Sequence, residues 1–216
     1  MNLIDRLISQ LNTLVAFLAL SRKEAFAIVQ EHHAQWFAAT EQQAIPGSYA
    51  VYQTQVTTAA FILGYSYGEA FLADLIHEIF KARPIALPHE KKLEFHEILE
   101  CSTYDDVLES MIDREVMAVM YGSMDKIIAY FQDKLGLQWP RSNKDTIVEA
   151  NLLRNCIVHN NAVVDSRLAA HGTRWATGAT IALTTSDVHT FGIAARAMAR
   201  DLYRQAEQKF LSGRAK

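Results

Sequence analysis

Cysteine is scarce in this chain: of 216 residues, only Cys101 and Cys156 carry a thiol. Two cysteines make no disulfide framework for a chain of this size, and their separation matches no metal knuckle, so the sequence points to a reducing cytoplasm rather than to secretion. Long apolar runs are missing as well. The most apolar N-terminal stretch, Leu14 to Leu20, follows Asp5 and Arg6 and falls well short of the roughly 18 residues that span a bilayer. A soluble protein with no membrane partner is expected. There is no Walker loop and no G-x-G-x-x-G, which removes the two commonest phosphate cradles. Three His-Glu pairs occur, at His77-Glu78, His89-Glu90 and His96-Glu97, but a zinc protease needs a second histidine three residues after the glutamate. Lys81, Leu93 and Glu100 hold those positions. These histidines, like His32 and His33, read as exposed helix residues, and no cofactor or metal is expected.

What remains is a globular composition, with 50% hydrophobic and 21% charged residues, too apolar for a disordered chain. At roughly 150 residues per domain, the length predicts one domain over 1–216 with added elements. Net charge is only −3, but it is unevenly placed: from Arg154 onward there are nine Lys or Arg against four Asp or Glu, leaving 12 against 20 before it. A basic C-terminal quarter on an acidic body suits a chain that offers one face to a polyanion, although a solvated charged helix gives the same count.

Helical spacing dominates. Ser21 with Glu24 is a capping box, Thr103 with Asp106 and Ser142 with Asp145 are shorter versions, and Ser186 stands just before an apolar-periodic run. The four prolines and several glycines cluster between these starts, at Pro46-Gly47, Pro84 to Pro88, Gly136 to Pro140 and Gly172 to Gly178. The pattern predicts helices near 2–20, 22–41, 49–82, 89–100, 104–135 with a break at Gly122, 143–160 and 187–211. A short β-hairpin is expected around Arg174 to Leu183, where apolar and polar residues partly alternate. In the last helix Val188, Phe191, Ala195, Met198 and Leu202 form an apolar seam, while Arg196, Arg200 and Arg204 stack on roughly the opposite side. The three arginines form the basic face expected to meet a polyanion.

Gly64-Tyr65-Ser66-Tyr67-Gly68 matches the G-x-S-x-G nucleophile elbow, which would make Ser66 the nucleophile of a serine hydrolase. That fold needs several further parallel strands, and the other apolar segments have helical spacing. The competing reading is one long buried helix in which Gly64 and Gly68 permit close packing.

The segment Glu149-Ala-Asn-Leu-Leu-Arg154-Asn155-Cys-Ile-Val-His159-Asn160-Asn161 carries a different chemistry. In metal-free RNA cleavage the 2′-hydroxyl loses a proton and the 5′-oxygen gains one, a task suited to an imidazole. The phosphorane between them carries added negative charge that a forked guanidinium can stabilise. With 12 Arg and 8 His in the chain, about 0.4 chance matches to Arg-x4-His are expected, and requiring Asn after the Arg lowers this to about 0.014. A structural role also fits: His159 as a helix C-terminal cap, and Arg154 in a salt bridge to Glu149 or Glu69. Glu69 lies in the most apolar stretch, where a carboxylate needs a partner. Arg154 is one candidate, and the backbone or a structural tyrosine is another.

Arg154-Asn155-x-x-x-His159 resembles the R-x4-6-H motif of the HEPN superfamily, the helical ribonuclease domains common in bacterial toxin and defence systems. Phe61 to Phe80 resembles that family's early helix with its aromatic-x-x-Glu-x-x-Leu core, here Tyr65, Glu69 and Leu72, with the aromatic residue one position earlier than that spacing sets. Met120-Tyr121-Gly122-Ser123 and Ser186-Asp187-Val188 also resemble its larger members. The likeness covers roughly residues 55–211, with 1–50 as an N-terminal helical extension. It implies an all-α antiparallel bundle acting as a homodimer, with Arg154 and His159 catalytic, Asn155 a supporting polar residue, and Glu69 and Asn160 further supports. It also implies RNA as substrate, a 2′,3′-cyclic phosphate product, and an antitoxin or defence-system protein as partner. Some members of the family have lost cleavage and only bind nucleotides or partners.

Arg154 and His159, five residues apart, start about 140° around an ideal helix. A single helix is therefore expected to need a loosened C-terminal end, or a second chain across a two-fold axis, to bring both to one phosphate.

Overall fold

The computed structural model describes residues 2–21, 49–88 and 94–212. They are mostly helical, with no β-strand among them, so the chain is all-α. The helices are α1 (Leu3–Leu20), α2 (Tyr49–Ala82), α3 (Phe95–Glu100), α4 (Tyr104–Met120), α5 (Met124–Ala129), α6 (Arg141–His159), α7 (Ser166–Ala170) and α8 (Thr185–Ala206). A π-helical turn extends α5 over Tyr130–Lys134 and another extends α8 over Glu207–Leu211. The helix expected at 22–41, the Ser21/Glu24 cap and the start of the one expected at 89–100 lie outside the described residues.

Local chemistry accounts for most of the boundaries. Thr103 caps α4: its hydroxyl accepts the Asp106 N–H at 3.1 Å, and the Asp106 carboxylate accepts the Thr103 N–H at 2.8 Å. The break at Gly122 is present; a side chain there would bring Cβ within 3.0 Å of the Val119 carbonyl oxygen. Two caps sit elsewhere than expected. α6 starts at Arg141, directly after Pro140, with Ser142 inside its first turn. α8 is capped by Thr184 rather than Ser186, because Asp187 accepts the Thr184 N–H at 2.7 Å and donates its own N–H to the Thr184 hydroxyl at 3.3 Å.

Contacts divide the chain into two units, each discontinuous in sequence. The first takes in the chain up to Arg6, Gly68–Val148 and the chain from Ala195 onward. Its core holds Leu75, Ile76, Ile79, Phe80, Ile112, Phe131 and Leu202, all fully buried, with Phe131 edge-on to Trp139 at 5.8 Å. Glu115 is buried in it and accepts the Tyr130 hydroxyl at 2.7 Å. Burial and that bond push the Tyr130 phenol far above its usual range.

The second unit takes in Leu7–Tyr67 and Glu149–Ala194. Phe61 and Tyr65 pack on Phe191, with ring centroids 5.6 and 6.0 Å apart. Gly64 allows α1 to approach α2 closely, since a Cβ there would stand 3.2 Å from Leu14 Cδ1. α2 is unbroken through Gly64 to Gly68, and the Ser66 hydroxyl donates to the Ile62 carbonyl of its own helix at 3.0 Å. Ser66 thus lies inside a continuous helix and not at a strand-to-helix turn, so the nucleophile elbow is absent.

One helix among the described residues, over Tyr52–Ala82, is long and apolar enough to cross a membrane by length and composition, with 50% of its most apolar window buried inside the protein. Its apolar residues are not contiguous, so no long apolar run marks it in the sequence. Phe71, Leu72, Leu75, Ile76, Ile79 and Phe80 of this helix are core residues, and Asp74 pairs with Arg6. A core helix meets the same test.

Candidate active site at the end of α6

The last turns of α6 place Asn151, Asn155 and His159 at i, i+4 and i+8, on one stripe, with Arg154 beside it. Buried Leu153 and Cys156 hold the opposite side in the core, and burial pushes the Cys156 thiol up. The helix then stops abruptly. Asn161 and Ala162 take left-handed backbone angles, φ 51° and 59°, and the N–H groups of Asn160 and Ala162 both donate to the Cys156 carbonyl at 3.0 Å. The Asn160 side-chain amide donates to the Val163 carbonyl at 2.7 Å. Asn160 therefore fixes the exit of the chain.

The segment after this turn pairs with the one expected to form a hairpin on itself. Val163 and Thr180 make an isolated antiparallel bridge. Ile181 N–H donates to the Ala162 carbonyl at 2.7 Å and Val164 N–H to the Ala179 carbonyl at 2.9 Å. The alternation read over Arg174 to Leu183 is real in that Ile181 and Leu183 are buried. Its partner is the stretch following His159, and no ladder beyond the single bridge forms.

Within this frame Arg154 and His159 meet. Arg154 Nη1 stands 3.4 Å from His159 Nε2 and donates to Asn155 Oδ1 at 3.1 Å. The helix is intact through His159, so no loosened end and no second chain is needed to bring the two groups together. The long arginine side chain crosses the angular gap that Cα positions alone suggest. His159 is exposed, and Arg154 and Asn155 are half-buried. Arg154 Nε is buried without a hydrogen-bond partner, and among the described residues of this unit no carboxylate pairs with the guanidinium. The salt bridge to Glu149 is absent; Glu149 acts instead on Arg174. A cation beside an exposed imidazole is an arrangement able to meet an anion.

Two residues join this site that the motif did not name. Asn151 Nδ2 donates to the Tyr65 hydroxyl at 2.7 Å, and Asn155 Nδ2 donates to Asn151 Oδ1 at 3.4 Å. The Arg154 Cζ lies 6.0 Å from the Tyr65 ring centroid. The signal for Asn151 was in the sequence, as the first member of the Asn-Asn-His stripe at four-residue spacing.

The other expected residues are placed separately. Glu69 is half-buried on α2 in the first unit, so its pairing with Arg154 stays an expectation. Arg196, Arg200 and Arg204 also belong to the first unit; Arg200 and Arg204 are exposed and Arg196 is half-buried. Arg204 is paired with Asp201 one turn back, which leaves the stripe less cationic than its sequence suggests. The apolar seam opposite, Val188 to Leu202, is buried throughout.

Two acidic anchors hold the segment behind the motif. Asp165 caps α7 by accepting the Leu168 N–H at 2.8 Å; that bond and Arg167 hold its carboxyl below the usual carboxylate range. Asp187 accepts both arms of Arg174, at 2.7 and 2.6 Å. Burial raises its carboxyl, but the guanidinium and the Thr184 N–H and hydroxyl outweigh this and hold it low. Arg174 also stacks on Trp175, 4.2 Å from the ring centroid. A cavity of about 330 Å³ in the same unit is lined by Val15, Leu18, Ala19, Ser21, Gln53, Thr185, Val188 and His189, and neither Arg154 nor His159 borders it.

No family model, curated protein or solved structure matches this chain. The likeness to HEPN domains therefore rests on the sequence motifs alone.

Proposed function

We propose that this protein is a metal-independent endoribonuclease of the HEPN type, working as a homodimer in a cytoplasmic toxin or anti-phage defence system beside an antitoxin or effector protein. The observation that carries the reading is the 3.4 Å approach of Arg154 Nη1 to His159 Nε2, with Asn155 bonded to the same guanidinium nitrogen. A phosphodiester drawn to that guanidinium also lies within reach of the imidazole.

The chemistry then balances on this chain's own groups. Arginine can only donate, so in its contact with Arg154 the His159 Nε2 is an acceptor and the ring proton sits on Nδ1. As the guanidinium turns to the bound phosphate the Nε2 lone pair is released, and it takes the 2′-hydroxyl proton while the 2′-oxygen bonds to phosphorus. The P–O5′ bond breaks, and O5′ leaves with the proton returned from His159. Arg154 stabilises the charge that builds on the phosphorane oxygens between these events. The products are a 2′,3′-cyclic phosphate and a 5′-hydroxyl.

Incubating the purified protein with total RNA, beside its His159→Ala variant, tests the proposal. New 5′-hydroxyl ends with the wild-type protein alone support it. Tight RNA binding without cleavage identifies a nucleotide- or partner-binding module instead.

A further inference from the structure

Arg154 ends a chain of hydrogen bonds whose direction cannot be reversed. A guanidinium has no acceptor, so Asn155 must turn its carbonyl oxygen toward Arg154 Nη1, at 3.1 Å. The Asn155 amide nitrogen then faces Asn151 Oδ1, at 3.4 Å, and the Asn151 amide nitrogen faces the Tyr65 hydroxyl, at 2.7 Å. Donors thus run Arg154 to Asn155 to Asn151 to Tyr65. Tyr65 is 2% exposed and pinned against Phe191, and its ring also lies under the guanidinium at 6.0 Å. The circuit ends on the hydroxyl of the same aromatic residue whose ring lies under its first donor. Asn151 and Asn155 lie on the polar stripe of α6 with Arg154 beside it, and the anchor sits in the core of the unit.

We infer that Tyr65 and Asn151 are positioning residues that set the rotamer of Arg154 and, through it, the tautomer of His159. This deepens the ribonuclease reading and rests on it for its effect on turnover. In the free protein the circuit holds Arg154 Nη1 where it donates to His159 Nε2, which keeps the ring proton on Nδ1; when the guanidinium turns to a phosphate, Nε2 is left as the unprotonated nitrogen. Without the anchor both amides are free to flip, and a flipped Asn155 presents its NH₂ to the guanidinium, a repulsive contact that turns Arg154 away. The imidazole then loses the donor that selects its tautomer.

Tyr65→Phe removes the hydroxyl and keeps the ring, and Asn151→Leu removes both amide bonds at similar volume. Each is expected to lower kcat by about five- to tenfold with a smaller rise in KM, since one relayed hydrogen bond is at stake and the guanidinium, though displaced, keeps its charge beside the phosphate. The double variant is expected to lose no more than either single one, because both cut the same circuit. Nitrogen NMR of the neutral His159 ring supplies a readout independent of turnover. The wild-type ring is expected in the Nδ1–H form, and the ring of either variant shifted toward Nε2–H. An unchanged tautomer in both folded variants overturns the inference, as does unchanged kcat in both while His159→Ala is inactive. Cleavage at the wild-type rate by folded His159→Ala protein overturns the ribonuclease reading instead, leaving the tautomer measurement to decide the circuit by itself.

Discussion

Mixing two inactive variants shows whether one chain builds the site. Arg154→Ala removes the guanidinium and His159→Ala the imidazole, and each loss is expected to lower RNA cleavage by at least about 100-fold. In the structure the two groups approach to 3.4 Å within one chain. A heterodimer of the two variants then contains one site without its cation and one without its base. An equimolar mixture should stay at or below about 1% of wild-type activity. A site shared across a two-fold axis behaves otherwise. Random pairing makes half of the dimers mixed, and each mixed dimer would hold one complete site of two, so about a quarter of the wild-type rate would return.

A second mixture gives the opposite ranking. Wild-type chain mixed one to one with the Arg154→Ala/His159→Ala double variant should retain about half of the activity if each chain works by itself. It should retain about a quarter if every site needs two chains, since only wild-type homodimers would then cleave. The assay is cleavage of an end-labelled RNA after co-refolding, with differently tagged chains confirming exchange. Recovery to about a quarter in the first mixture would refute the single-chain site.

Four further outcomes follow from the same geometry. Asn155→Ala should cost less than either catalytic substitution, because it orients Arg154 without moving a proton; parity with His159→Ala in initial rates would assign it a larger part. Cleavage should persist in EDTA and spare DNA, which lacks the 2′-hydroxyl; cutting of a DNA strand, or recovery only with added metal, would indicate another chemistry. Arg200→Gln should lower the salt dependence of RNA binding more than Arg204→Gln, since Arg204 is already paired with Asp201; equal slopes would return the stripe to a solvated surface. Asp187→Asn should destabilise the fold by roughly 1–3 kcal/mol at neutral pH by thermal melting. Because the folded carboxyl titrates below its ordinary value, its contribution is present at neutral pH and fades as pH falls through that lowered value, so the variant and wild-type melting points should converge in acid.

The helical architecture was legible because the relevant signals are local. Thr103 and Asp106 cap a helix through atoms three residues apart, and Gly122 breaks one through its own preceding turn, so neither depends on distant chain. Where a boundary moved, a stronger local partner was present nearby: Asp187 reaches back to Thr184 and bypasses Ser186. The hairpin failed for the opposite reason. Alternation over Arg174 to Leu183 marked a buried extended stretch, yet nothing local could reveal that Ala162 to Val164 would take the pairing.

The site divides along the same line. Arg154, Asn155 and His159 are neighbours in sequence and on the helix end, and the motif named all three. Angular bookkeeping at Cα nonetheless set Arg154 and His159 apart, because it ignores a side chain long enough to curve around the helix surface. Asn151 was missed for want of a partner: its role exists only through Tyr65, 86 residues earlier, and no spacing rule joins the two. The residues proposed to do the chemistry can thus be read from a short motif, whereas the bond between Asn151 on α6 and Tyr65 on α2 shows only in the folded chain.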